Sequence, residues 1–215
     1  MRKIFQEELK KLKSDVAGVG RLVEDAIGQA VASLVLGDME AATQVITGDD
    51  EIDKRALEIE ESGLSLVATQ SPVARDLRLI FSIIFISTHL ERMGDLAHNM
   101  AKISQRMSPE DKQPVLLDLI SEMGRQTQGI VHAALQAFVD RDLELARALP
   151  HLDKPIDELF RRFFKELAKV SNAERYFEWA SNMVLAGRYL ERIADHSVDI
   201  GERVSYLVTG KMEEW

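Results

Sequence analysis

The chain has 215 residues, 46% of them hydrophobic and 29% charged, the balance of a globular protein with an ample core. It contains no cysteine, which excludes disulfides and thiolate metal sites, and its formal net charge of -9 disfavours nonspecific binding to nucleic acid. The stretch from Met1 to Glu8 lacks the apolar core of a signal peptide, and the run from Leu79 to Ser87 is too short to span a bilayer, so a cytoplasmic protein is expected.

Leu9, Leu12, Val16, Val19, Val23, Ile27, Val31 and Leu34 recur every three or four positions, which predicts one long amphipathic helix over 4–36. Gly37 and Asp38 interrupt it. Met39 to Ile46 is expected as a short further piece, with a break at Thr47-Gly48-Asp49 and Asp49 as the capping candidate of a second helix over 49–70. Ser71-Pro72 punctuates next, because proline disfavours helix in the residue before it yet suits a first turn, and a third helix is predicted over 72–107. The polar stretch Ser108-Pro109 to Pro114 is read as the boundary between two units, 1–108 and 109–215. The second unit is predicted as a helix over 115–139, a short piece over 142–149, a helix over 152–170 and a last helix over 173–209. No strand pattern occurs. The expected fold is all-α, two tandem antiparallel three-helix bundles, with one continuous six-helix bundle as the alternative that periodicity leaves open.

The two units are copies of each other. Leu90, Glu91, Arg92 and Asp95 match Leu190, Glu191, Arg192 and Asp195, 100 residues apart. Upstream, Asp49, Ile52 and Asp53 match Asp153, Ile156 and Asp157, and Asp38 and Glu40 match Asp142 and Glu144, these being 104 apart. Three matches in one order mark an internal duplication.

Residues four apart on a helix lie about 40° apart around the axis and roughly 6 Å along it. Glu91, Asp95 and Asn99 therefore form one polar stripe, and Glu191, Asp195, Asp199 and Glu202 its counterpart. Asp49 with Asp53, and Asp153 with Asp157, make the same one-turn pair on the preceding helix. A solvated acidic face tolerates such pairs, since each costs only a few tenths of a kcal/mol. Arg188 and Arg203 are in reach to neutralise part of the second stripe. If the second and third helices of each unit lie side by side, however, the pairs converge into four carboxylates, a donor set for hard cations such as magnesium, calcium, manganese or iron, with zinc possible. His98 could add a nitrogen ligand. His196, about 140° round from Glu191, is expected to face elsewhere.

No Glu-x-x-His occurs, which argues against di-iron redox catalysis, and there is no glycine-rich phosphate loop. No catalytic residue is assigned. His132 and His151 read as structural or surface residues. Arg75 and Arg78 could hold an anion or a partner, or be an ordinary charged first turn. Phe160, Phe163 and Phe164, with Leu159 and Leu167, read as core or as a partner surface, and Phe177 and Trp179 as either.

At Pro72-Val73-Ala74-Arg75-Asp76-Leu77-Arg78, Leu90 to Asn99 and Tyr189 to His196, the sequence resembles the PhoU family of phosphate-uptake regulators, over nearly the whole chain. The resemblance implies two three-helix bundles whose (Glu/Asp)-x-x-x-Asp motifs bind metal ions, in some members multinuclear iron. Here those positions are Asp49, Asp53, Glu91 and Asp95, then Asp153, Asp157, Glu191 and Asp195. Asp199 stands where Asn99 stands in the first copy and adds a carboxylate to the second. The resemblance also implies a non-enzymatic negative regulator that acts between the ATPase of the phosphate ABC transporter and a phosphate-sensing histidine kinase. It implies a homodimer, and membrane association only through partners. The rivals are a carboxylate-metal hydrolase or oxidase built on a helical bundle, and a purely structural helical oligomer.

Overall fold

Six helices make up the computed structural model of the chain, which describes residues 2–107, 113–170 and 173–215. They are α1 (Arg2–Leu36), α2 (Met39–Gln70), α3 (Ala74–Arg106), α4 (Pro114–Asp140), α5 (Leu143–Leu167) and α6 (Ala173–Thr209), with no strand among the described residues. The expected unit boundary at 108/109 falls outside the described residues.

Helices α1, α2 and α3 pack on one another as one antiparallel bundle, and α4, α5 and α6 as a second. The bundles join side by side through α1 against α4 and α3 against α6, which leaves α2 and α5 outermost. Both contacts are antiparallel. His132 and Gln128 of α4 reach Glu24 of α1, and Gly20, one turn earlier on α1, lies against the later Leu135 of α4, while Arg78 near the start of α3 lies beside Gly210 just past α6. The apolar stripe predicted for α1 is the seam. Val16, Val19, Val23 and Ile27 are fully buried in a core that runs without interruption through both bundles.

Two breaks expected from the sequence do not exist. Helix α2 runs straight through Thr47-Gly48-Asp49, because Ala42, Val45, Ile52 and Ile59 form one continuous buried stripe whose packing outweighs the roughly 1 kcal/mol helix penalty of a glycine. Its cap is Asp38, whose carboxylate accepts from the backbone N–H groups of Glu40 and Ala41, so Asp49 sits in mid-helix. The repeat partner Asp142 caps α5 in the same way, accepting from Leu145 N–H. Helix α5 likewise continues past residue 150 with Pro150 and Pro155 inside it. Ala146, Leu149, Ile156 and Phe163 hold it against its bundle, although each proline forgoes a helical hydrogen bond. Gly201 of α6 crosses here, where an added Cβ would lie 2.5 Å from Leu149 Cδ1 and 3.0 Å from the Ala146 carbonyl. Helix α3 starts at Ala74 rather than at Pro72.

The shorter spacing of the second copy arises at one end. Helix α5 has 25 residues against 32 in α2, a deficit that a longer connection to α6 partly makes up. Of the aromatic stripe, Phe163 is fully buried, Phe160 packs against the core and Phe164 is exposed; Trp179 is buried and Phe177 exposed. Among the described residues, no helix is long and apolar enough to cross a membrane.

Candidate metal centres

The antiparallel packing of α2 on α3 carries Asp49 and Asp53 to the face from which Glu91 and Asp95 project. Close approach is possible because Gly94 faces α2, where an added Cβ would lie 3.2 Å from Ile52 and 3.6 Å from Asp49 Oδ1. Asp49, Asp53 and Asp95 each bring a carboxylate oxygen within 4.8 Å of the others. Desolvation first, then Asp49 and Asp95, raises the pKa of Asp53; desolvation, then Asp95, Asp53 and Asp49, raises that of Glu91. Asp49 is buried, and its Oδ2 is hydrogen-bonded to His98 Nδ1 while its Oδ1 has no partner. His98, which the sequence offered as a nitrogen ligand, thus stands beside Asp49.

The second bundle repeats the arrangement more loosely. Asp153 is pushed up to about 6, by burial first and then by Asp157, Asp195 and Glu191. Asp195 is raised by desolvation, then Glu191, against the opposing charge of Arg188. Asp153 Oδ1 is buried without a partner, the counterpart of Asp49 Oδ1. Here two arginines intrude. Arg188 pairs with Glu191, and Arg161 lies 3.8 Å from Asp157.

Among the described residues, Asp49, Asp53 and Asp95 come together with Glu91 beside them, while Asp153, Asp157, Glu191 and Asp195 lie near enough to repel one another without forming so tight a group. Each set contains a buried oxygen without a donor and carboxyl groups whose pKa is raised by desolvation first and then by mutual repulsion, the part a bound hard cation would relieve. The donor chemistry fits such an ion.

Asp199 turns elsewhere. Its Oδ2 lies 3.4 Å from Nδ1 of His196 and 3.4 Å from Nδ1 of His89, at the seam between α3 and α6. Glu202, also on the predicted stripe, accepts a hydrogen bond from the backbone N–H of Trp215. His89 was not visible as a functional candidate in the sequence. It falls on the apolar stripe of α3 with Ile86, Leu90 and Met93, and an imidazole on such a stripe was the available signal. Burial holds His89 down at about 4, with Asp199 opposing and His196, Arg92 and Arg203 reinforcing. Phe85 stacks on His89 at 4.2 Å, the Arg203 guanidinium lies 3.8 Å from the Phe85 centroid, and the His89 and His196 rings meet edge-on at 5.0 Å.

Arg75 and Arg78 lie at the end of the molecule where α3 begins, away from the carboxylates. Arg75 is exposed, near enough to Arg141 to disfavour its charge, and Arg78 is half-buried against Gly210 with its Nε unpartnered. Of the remaining histidines, His132 pairs with Glu24 at 2.9 Å across the bundles, and His151 is exposed beside Lys154.

With this geometry in view, the chain matches the PhoU domain model twice, over residues 16–104 and 120–204, one match in each bundle. It is 34% identical to the "phosphate-specific transport system accessory protein PhoU homolog" of Clostridium acetobutylicum, over 98% of this chain and 96% of that protein. It is 36% identical to PhoU homolog 1 of Thermotoga maritima, over 96% of this chain and 90% of that one. The crystal structure of PhoU from Pseudomonas aeruginosa superposes with a TM-score of 0.91 at 34% identity, covering 96% of this chain and all of that one. The phosphate transport regulatory protein PhoU of Streptococcus pneumoniae gives 0.90 at 27% identity, covering 98% of this chain and all of that one.

Proposed function

The chain belongs to the PhoU family, and on that premise we propose that it is a cytoplasmic, metal-binding regulator of phosphate uptake rather than an enzyme. Its relatives over nearly the full length carry the name of phosphate-specific transport system accessory proteins, which supports an accessory role in that system. The finer reading is that it restrains the phosphate-starvation response through the transporter's ATPase subunit and a phosphate-sensing histidine kinase, as a homodimer that meets the membrane only through them.

One observation carries the metal part of this reading. Corresponding places in the two bundles gather acidic side chains, tightly for Asp49, Asp53 and Asp95 and more loosely around Asp153, and each has one buried oxygen, Asp49 Oδ1 or Asp153 Oδ1, that no described protein donor satisfies. Chance surface acidity seldom buries an unpaired carboxylate oxygen, because leaving it unsatisfied costs about 1–3 kcal/mol or more. Asp49, Asp53, Glu91 and Asp95 would hold a hard cation in the first bundle, and Asp153, Asp157, Glu191 and Asp195 in the second. Such an ion supplies positive charge to two otherwise acidic outer faces, and with it a surface able to meet phosphate or an acidic partner. Among iron, manganese, magnesium, calcium and zinc, the oxygen-rich set favours the harder ions.

The test is elemental analysis of the purified protein beside an Asp95→Asn/Asp195→Asn double variant, each after supply of iron, manganese, zinc and magnesium. More bound metal in the parent than in the variant is expected, the difference being what the carboxylate clusters hold. Equal, negligible content in both would overturn the metal reading. Capture of the transporter's ATPase subunit, with and without metal, tests the partner; binding indifferent to metal would separate the two claims.

A further inference from the structure

We propose that His89, His196 and Asp199 form a separate transition-metal site at the seam between the bundles, distinct in donor chemistry from the carboxylate clusters. One donor atom from each of the three lies within 4.8 Å of the other two. Both imidazole Nδ1 atoms are 3.4 Å from the same carboxylate oxygen, Asp199 Oδ2. That separation is long for a charge-assisted hydrogen bond, which closes to about 2.7–2.9 Å. It matches the edge of a tetrahedron whose metal–ligand bonds are about 2.0–2.1 Å, where neighbouring donors stand about 3.3–3.4 Å apart.

Two further observations point to a ligand. His89 is buried, with its side chain 8% exposed, and its Nδ1 has no hydrogen-bond partner although it faces the other two donors. His196 is nearly as buried, at 12%, and its Nε2 is also unpartnered. A desolvated imidazole such as His89, with its Nδ1 facing two other donor atoms and no hydrogen bond made, costs stability unless something occupies the space between them. Asp199 is the least buried of the three, its side chain 44% exposed, so the site opens to solvent on its side. A fourth position is left for water.

The site is not an echo of the duplication. Across the 100-residue repeat, His89, His196 and Asp199 correspond to Tyr189, Leu96 and Asn99, which offer no imidazole and no carboxylate. Only one side of the pseudo-twofold seam carries the donors. Two imidazoles and one carboxylate suit zinc, cobalt, nickel or iron(II) rather than magnesium or calcium. Because His89 belongs to α3 and the other two to α6, an ion here clasps the two bundles together.

The test is a titration of the metal-free full-length protein with Co(II), followed by Zn(II). One equivalent of Co(II) is expected to give the intense visible absorption of a four-coordinate, nitrogen-ligated ion, and Zn(II) to displace it. The band should survive in Asp95→Asn/Asp195→Asn and vanish in both His89→Gln and His196→Gln, each checked for native helical circular dichroism. Should His89→Gln fail to fold, the less buried His196→Gln and Asp199→Asn decide. A parent protein showing only the weak absorption of oxygen-ligated octahedral Co(II), or a strong band that persists in a folded histidine variant, would overturn the proposal. The two metal readings fail separately, since the carboxylate variant addresses one and the histidine variants the other.

Discussion

Asp49 of α2 and His98 of α3 are hydrogen-bonded across the outer groove of the first bundle, with Asp49 Oδ1 and His98 Nε2 both buried and unpartnered. The pair ties the carboxylate cluster to the helix that carries its other half. Substitution His98→Leu leaves a buried carboxylate with neither oxygen satisfied, and in chelator should destabilise the protein by about 1–3 kcal/mol. Saturating Mn(II) should recover part of that loss. Urea unfolding midpoints with chelator and with Mn(II) measure both, and identical midpoints for parent and variant in chelator would sink the prediction.

Asp153 sets a pH dependence. Its folded pKa of about 6 lies above the ordinary 3.8, so between those values the folded state binds more protons than the unfolded one. Stability of the metal-free protein therefore falls as pH rises from about 4 through about 6 and stays lower above, as far as this group decides it. Asp153→Asn should remove that fall and stabilise the metal-free protein at pH 7.5 by roughly 1 kcal/mol. Chemical denaturation in chelator at pH 5 and 7.5 reads the difference; a variant less stable than the parent at both would contradict it. Metal uptake at the second cluster should weaken below about pH 6, because protonated Asp153 cannot ligate.

The two clusters differ in the arginines beside them, Arg188 with Glu191 being the closer pair. Arg188 pairs with Glu191, and the corresponding Thr88 leaves Glu91 without such a partner. Metal at the second cluster must displace that cation or tolerate it, so Arg188→Gln should tighten binding there about fivefold, the equivalent of roughly 1 kcal/mol. Mn(II) titration by calorimetry in an Asp95→Asn background isolates the second cluster. Unchanged or weaker affinity would show that Arg188 does not compete with the ion.

Two glycines should respond in opposite directions. Gly201→Ala places a methyl 3.0 Å from the Ala146 carbonyl and 3.1 Å from Trp215, against a helix held by packing on both sides. The steric penalty should exceed the gain in helix propensity, for a net loss of about 1–2 kcal/mol. Gly129→Ala, on the exposed face of α4 with nothing within 4 Å, should instead gain up to about 1 kcal/mol. Thermal unfolding compares them, and a stabilised Gly201→Ala would mean that α5 and α6 can part at no cost.

Much of this fold is legible in local periodicity. Helical identity, the α1 seam, the match of Asp38 to Asp142 across the repeat, and the pairing of Asp49 with Asp53 and Glu91 with Asp95 on single helix faces are all legible in the order of residues along the chain. The duplication then made it reasonable that what converged in one bundle would converge in the other. Local signals misled at Gly48 and at Pro150 and Pro155, where helix-breaking residues sit inside α2 and α5 because buried stripes on either side keep the helix continuous. How the bundles join depends on long-range packing, which no local pattern encodes. That choice, α3 antiparallel to α6, brings His89 to His196 and draws Asp199 away from the stripe on which its spacing had placed it. Helical spacing assigns each side chain a direction on its own helix, but the neighbour it meets depends on which helices cross and at what height, and that is set by the packing of the whole core.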